Sequence, residues 1–162
     1  MIADAALCLS DKPFPSTFAS ENLDLSITRV RNQTELFLLG FGCRDEKDIY
    51  NPAKSGQLYG GLSSVSRLPA TPDGHYETIG GVVVCPGDSG GSAYVLGKSD
   101  SPGGPRSIVG INSGYFPITR VSAITGLSGI MADFIRDWAT DSMTVICGVH
   151  QAAKNCRNRF IP

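Results

Sequence analysis

Between two apolar runs, residues 80–84 and 92–96, lies Cys85-Pro86-Gly87-Asp88-Ser89-Gly90-Gly91, the stretch that most limits what this chain can be. Glycine is used where the backbone takes positive φ or where another group must come close to it. Here glycines bracket a single hydroxyl. A serine that acts as a nucleophile needs a free Oγ and, nearby, backbone N–H groups aimed at the oxygen that becomes negative on attack. A Gly-x-Ser turn supplies both. The competing reading is a polar turn between two strands, but Gly-Asp-Ser-Gly-Gly is far less degenerate than a lone Gly-x-Gly.

The rest of the chain reads as strands followed by one helix. Residues 4–9 alternate as a strand and stop at Ser10-Asp11-Lys12-Pro13, which is turn chemistry. Residues 35–43 form an apolar run closed by glycines, the pattern of a buried strand, and residues 57–68 supply another. Thr71-Pro72-Asp73-Gly74-His75 is a turn, and residues 79–84 lead into the serine segment. Residues 98–106 are too rich in glycine and proline for regular structure, while 107–114 and 118–121 read as the last strands. The period then changes from two to about 3.6. Leu127, Ile130, Met131, Phe134, Ile135 and Trp138 fall on one helical face with Asp133, Arg136 and Asp137 opposite, and Ser128 is the expected N-cap. The fold class is all-β, an antiparallel barrel with a C-terminal α-helix.

Composition narrows the function. With 14 basic and 15 acidic residues the net charge is −1, which gives no electrostatic argument for nucleic acid or an anionic membrane. No run approaches the roughly 20 apolar residues of a membrane span. The start, Met1-Ile2-Ala3-Asp4-Ala5-Ala6-Leu7, lacks the basic n-region of a signal peptide. Five cysteines form no Cys-x-x-Cys pattern, and an odd number implies two bridges with one cysteine left over. Disulfides imply an oxidising compartment. No metal and no cofactor is expected.

The segment from Cys85 to Gly91 resembles the active-serine segment of the chymotrypsin-like (trypsin-family) serine proteases. The resemblance implies the family's triad mechanism, with Ser89 as nucleophile and the N–H groups of Gly87 and Ser89 as the oxyanion hole. It makes Asp88 the carboxylate that pairs with a newly cleaved N-terminus. Asp4, in Asp-Ala-Ala-Leu, matches the family's triad aspartate, and Ser113 the serine that helps hold it. Substrate would meet Val83 at the base of the primary pocket, flanked by Val84, and the backbone at Ser113, Gly114 and Tyr115. Valine cannot pair with a buried cation, so an apolar or small side chain is expected there. Gly114-Tyr115-Phe116-Pro117 is shorter than the family's usual loop, so Tyr115 or Phe116 is expected to fill that pocket.

The same resemblance divides the chain into residues 1–12 as the last strand of a first barrel, 13–34 as the inter-barrel connection, 35–139 as the second barrel with its helix, and 140–162 as a tail. It places Cys43 beside Cys85, implying a disulfide that pins the serine loop. The short spacing of Cys147 and Cys156 suggests a local bridge in the tail, which leaves Cys8 unpaired.

The family's general-base histidine is not among these residues. His75 lies in a turn and His150 in the tail, both read as exposed polar residues, and only three residues precede Asp4. The expectation is therefore a serine endopeptidase acting on a peptide or protein substrate, secreted or periplasmic in its full-length form. The 162-residue chain itself should be inactive. Asp88, without its amine, should pair elsewhere or leave the loop looser. The alternative is a noncatalytic protease homologue acting as a protein-binding module.

Overall fold

The computed structural model describes residues 4–15, 17, 18, 20–43, 56–71, 74–97 and 106–150. Its strands are β1 (Asn22–Leu23), β2 (Glu35–Gly40), β3 (Tyr59–Arg67), β4 (His75–Ile79), β5 (Ser92–Leu96), β6 (Arg106–Phe116) and β7 (Val121–Gly126), followed by helix α1 (Ile130–Asp141). Six of them form a closed antiparallel barrel in the order β2-β3-β4-β7-β6-β5, with β5 pairing back onto β2, while β1 lies outside and runs parallel to β6. Closure gives every barrel strand a neighbour on both sides, although the end of β6 runs on past β5.

The barrel forms because its strands carry apolar residues where the pleat turns inward. Leu36, Leu38, Val65, Tyr76, Val84, Ala93, Val109 and Ile124 make one core, joined by Val30 from the segment between β1 and β2. In β2 the outward Phe37 is covered too, opposite Tyr94 of β5, which is why this strand reads as a continuous apolar run. Leu36 is fully buried. Leu36→Ala should cost about 3 kcal/mol through lost transfer energy and the cavity left behind, read as a lowered denaturation midpoint with an unchanged m-value.

A second cluster docks the helix. Leu127, Met131 and Ile135 pack with Ile108 and Ile111 of β6, Leu23 of β1 and Leu25 just after it, Ala5 and Leu7, and Ile146 and Val149 beyond the helix. The segment that carries β1 is also held by Glu21, which bonds Arg106, whose guanidinium carbon lies 4.6 Å from the centre of the Tyr94 ring. Glu21's hydrogen bond holds the Arg106 pKa above its ordinary value, against the opposing effect of burial.

Several expectations are corrected. Residues 4–9 are irregular, with no ladder partner among the described residues, although Ala5 and Leu7 still turn toward the helix. A single extended segment has nothing to bond its N–H and C=O groups. The strand before the serine segment is His75–Ile79, not residues 79–84: Gly80 and Gly81 take positive φ and end it. Residues 82–84 are then bolted on singly, Val82 N–H to Leu62 O at 3.0 Å and Val84 N–H to Ser122 Oγ at 2.9 Å. The last barrel strand is Val121–Gly126, and Ile118 sits fully exposed in the turn before it.

Helix α1 begins at Ile130 with Gly129 as N-cap, and no side chain caps it. The expected cap, Ser128, instead lies 3.3 Å from the Tyr76 hydroxyl. The buried face is Met131, Ala132, Ile135 and Ala139, so Ile130 and Phe134 stand exposed on its flank. Past the helix, Cys147 O accepts the Leu23 N–H at 2.9 Å, tying the start of the tail to β1. The expected loop over 98–105 and the tail beyond 150 lie outside the described residues. No helix among the described residues is long and apolar enough to cross a membrane.

Candidate active site

The serine segment folds as two successive turns, Asp88 N–H to Cys85 O and Gly91 N–H to Asp88 O, both 2.9 Å. Gly87 (φ 98°) and Gly90 (φ 83°) occupy the left-handed positions on either side of Asp88-Ser89, which a side chain would strain. The result is an exposed Ser89. Among the described residues its Oγ has no hydrogen-bond partner, and neither do the N–H groups of Gly87 and Ser89. A free hydroxyl and two free backbone donors thus share one turn.

Asp88 points the other way, into the barrel end. Its Oδ1 accepts the Gly42 N–H at 2.7 Å and its Oδ2 the Cys85 N–H at 2.8 Å. A carboxylate half withdrawn from water, as Asp88 is, needs such partners, and these two backbone donors replace the amine that the resemblance assigns to it. The strand end beneath it explains why positions 40 and 42 are glycine. A Cβ on Gly40 would lie 1.9 Å from Asp88 Oδ1, and one on Gly42 would lie 2.7 Å from Asp88 Cγ. The glycines flanking Phe41 are therefore the floor on which Asp88 rests.

The cysteines hold the same place together. Cys43 and Cys85 form a disulfide with Cα atoms 5.6 Å apart, as expected. Cys8 is free and exposed, also as expected. Cys147 is disulfide-bonded; its expected partner, Cys156, lies outside the described residues. Thiol alkylation of the oxidised protein followed by peptide mapping should label Cys8 and leave Cys43, Cys85 and Cys147 protected.

The exit of the serine segment is anchored on Asn112 of β6, a residue that sequence reading passed over. Its N–H donates to Gly91 O at 2.8 Å, its C=O accepts the Gly90 N–H at 3.0 Å, and its Nδ2 donates to Leu39 O at 2.9 Å. The next residue is Ser113, whose Oγ donates to Asp4 Oδ2 at 3.2 Å. A register shift between β6 and β7 falls between Asn112 and Gly114, and such a bulge re-aims the side chain it carries. Ser89's segment and Asp4 therefore meet at adjacent residues of one strand. Asp4 is exposed, with Ser113 its side-chain partner.

Past Asn112, whose backbone still bonds Gly90 and Gly91, β6 pairs with β7 alone among the described residues. Gly114 and Tyr115 lie on this stretch, and Tyr115 is half-buried. Phe116 is 54% exposed. Val83 and Val84 line a cleft of about 530 Å³ together with Gly40, Gly42 and Asp88. Ser89, Ser113 and Tyr115 are not part of its wall, so this cleft lies on the Asp88 side of the loop and not on the Ser89 side.

Among the described residues, the hydrogen bonds of both histidines go to residues outside the serine segment. His75 starts β4, half-buried, with Nδ1 3.2 Å from Thr125 Oγ1. His150 closes a local turn, its Nδ1 3.1 Å from the Ile146 backbone nitrogen. Both are partnered in the fold and not loose surface groups, which corrects the sequence reading.

No protein-family model matches the sequence, and comparison with curated proteins finds no match.

Proposed function

We propose that this chain is the serine-bearing barrel of a chymotrypsin-like endopeptidase, with Ser89 as nucleophile, Asp4 as the orienting carboxylate and the N–H groups of Gly87 and Ser89 as oxyanion donors. The observation that carries this reading is the convergence of two segments far apart in sequence on Asn112 and Ser113: Gly90 and Gly91 bond to the first, and Asp4 to the second. A structural turn has no need of a free exposed serine, two unpaired donors and a distant carboxylate at one strand end. The reading makes the protein a secreted or periplasmic one, in keeping with its disulfides.

Ser89 at its ordinary pKa is a weak nucleophile, and a base must take its proton. His75 and His150 are engaged elsewhere, so the base in this reading comes from outside the 162 residues, from a barrel joined upstream of Asp4. Peptide or protein substrate would lie along the open edge of β6 beyond Ser113, pairing its backbone with the strand.

The test is hydrolysis of apolar and basic peptide esters by the 162-residue chain and by a version extended upstream with a histidine-bearing barrel. Serine-dependent turnover is expected only from the extended protein. Turnover by the short chain that is lost in Ser89→Ala, and is unchanged by the extension, would remove the need for an outside base. An extended protein that stays inactive yet binds peptides would favour the binding-module alternative.

A further inference from the structure

The Cys43–Cys85 bridge joins the end of β2 to the start of the serine segment across 42 residues of chain. Asp88 takes one N–H from each arm of this bridge, Gly42 beside Cys43 on one side and Cys85 itself on the other. Its carboxylate can hold both donors only while the arms stay together. The further backbone bond between the arms is a long one, Cys43 N–H to Pro86 O at 3.4 Å. Both cysteines line the cleft of about 530 Å³, which is the route by which a small reductant would approach the bond. The exit half of the loop is held separately, through Gly90 and Gly91 on Asn112.

We propose that the Cys43–Cys85 disulfide is a redox-modification site, a reducible lock on the loop that presents Ser89, opened by a dithiol reductant. One thiolate of the reductant attacks Cys43 Sγ, because Cys43 is half-buried whereas Cys85 is only 6% exposed. A mixed disulfide forms and Cys85 Sγ leaves as a thiolate that takes up a proton. The second thiol of the reductant then displaces Cys43 Sγ, which is protonated in turn. The reductant ends as its disulfide, and two electrons and two protons have passed to the cysteine pair. Once opened, the Phe41–Cys43 arm moves off the loop, Asp88 loses one of its two donors, and residues 85–89 are freed while 90 and 91 stay anchored. The turn that carries the Gly87 and Ser89 donors is no longer fixed. The consequence for catalysis rests on the reading of Ser89 as nucleophile; the lock itself does not.

The full chain is treated with dithiothreitol, the thiols are mapped by alkylation, and amide hydrogen exchange is followed by mass spectrometry and NMR. Reduction of Cys43–Cys85 should speed exchange at the Gly42 and Cys85 amides at least tenfold while the β6–β7 ladder keeps its protection, and reoxidation should restore the slow rate. The Cys43→Ser, Cys85→Ser double variant should exchange at the fast rate from the start, with no further change when dithiothreitol opens the bridge at Cys147. Unchanged exchange at Gly42 and Cys85 after complete reduction would overturn the proposal. So would acceleration of the whole barrel together, or a bond that yields only when the barrel unfolds. Exchange requires no turnover, so failure of the peptidase reading and failure of the lock are seen separately.

Discussion

Gly40→Ala should destabilise the protein by about 3–6 kcal/mol, although glycine at a strand end is ordinarily a position where alanine is harmless. The new Cβ would sit 1.9 Å from Asp88 Oδ1 and 2.5 Å from its Cγ. Asp88 cannot shift aside without releasing the N–H groups of Gly42 and Cys85, and each hydrogen bond to a charged group contributes about 1.5–3 kcal/mol. A double-mutant cycle isolates the cause. In an Asp88→Gly background the three nearest atoms to the new Cβ are gone, so Gly40→Ala should there cost less than about 1 kcal/mol. Equal costs in the two backgrounds, by urea denaturation, would show that Asp88 does not rest on Gly40.

The largest effect is expected on catalysis. In the histidine-bearing extended protein, Ser89→Ala should lower kcat by a factor on the order of 10⁵–10⁶, and Asp4→Ala by a factor on the order of 10⁴, the pattern of groups that act as a unit. The double variant should be no slower than Ser89→Ala alone, because a base oriented toward an absent hydroxyl does nothing. Ser113→Ala loosens Asp4 without removing it, so its loss should be much smaller than that of Asp4→Ala. If Asp4→Ala changes KM and leaves kcat intact, Asp4 binds substrate and does not orient a base.

Much of the barrel could be read from residue types. β5 is bounded by the serine segment on one side and a breaker-rich stretch on the other, and its apolar run coincides with the observed Ser92–Leu96. β2 announced itself by burial on both faces. The strand before the serine was displaced because Val82, Val83 and Val84 look like a strand, whereas Gly80 and Gly81 have already turned the chain and left those valines bonded one at a time to neighbouring segments. Helix periodicity placed α1 but not its face, since Ile130 and Phe134 are apolar residues that the barrel does not cover. That depends on which strand the helix meets.

The site divides in the same way. The Cys43–Cys85 bond was legible because the resemblance carries it, and the left-handed turns at Gly87 and Gly90 because that chemistry is local. Asn112 was not, because an asparagine in a strand gives no sign that its backbone and amide will tie three segments together. Nor could Gly40 and Gly42 be distinguished from ordinary strand-end glycines. Their purpose exists only once Asp88, more than forty residues later in the chain, is laid across them.

The central claim, that Ser89 is the nucleophile, is tested most directly by locating the acyl group. The extended protein is mixed with an activated apolar peptide ester, quenched in acid during the burst, digested, and mapped by mass spectrometry. The account predicts an acyl group on the hydroxyl of Ser89, absent from Ser89→Ala together with turnover. Turnover with the acyl group on another residue, or turnover that survives Ser89→Ala, would contradict it.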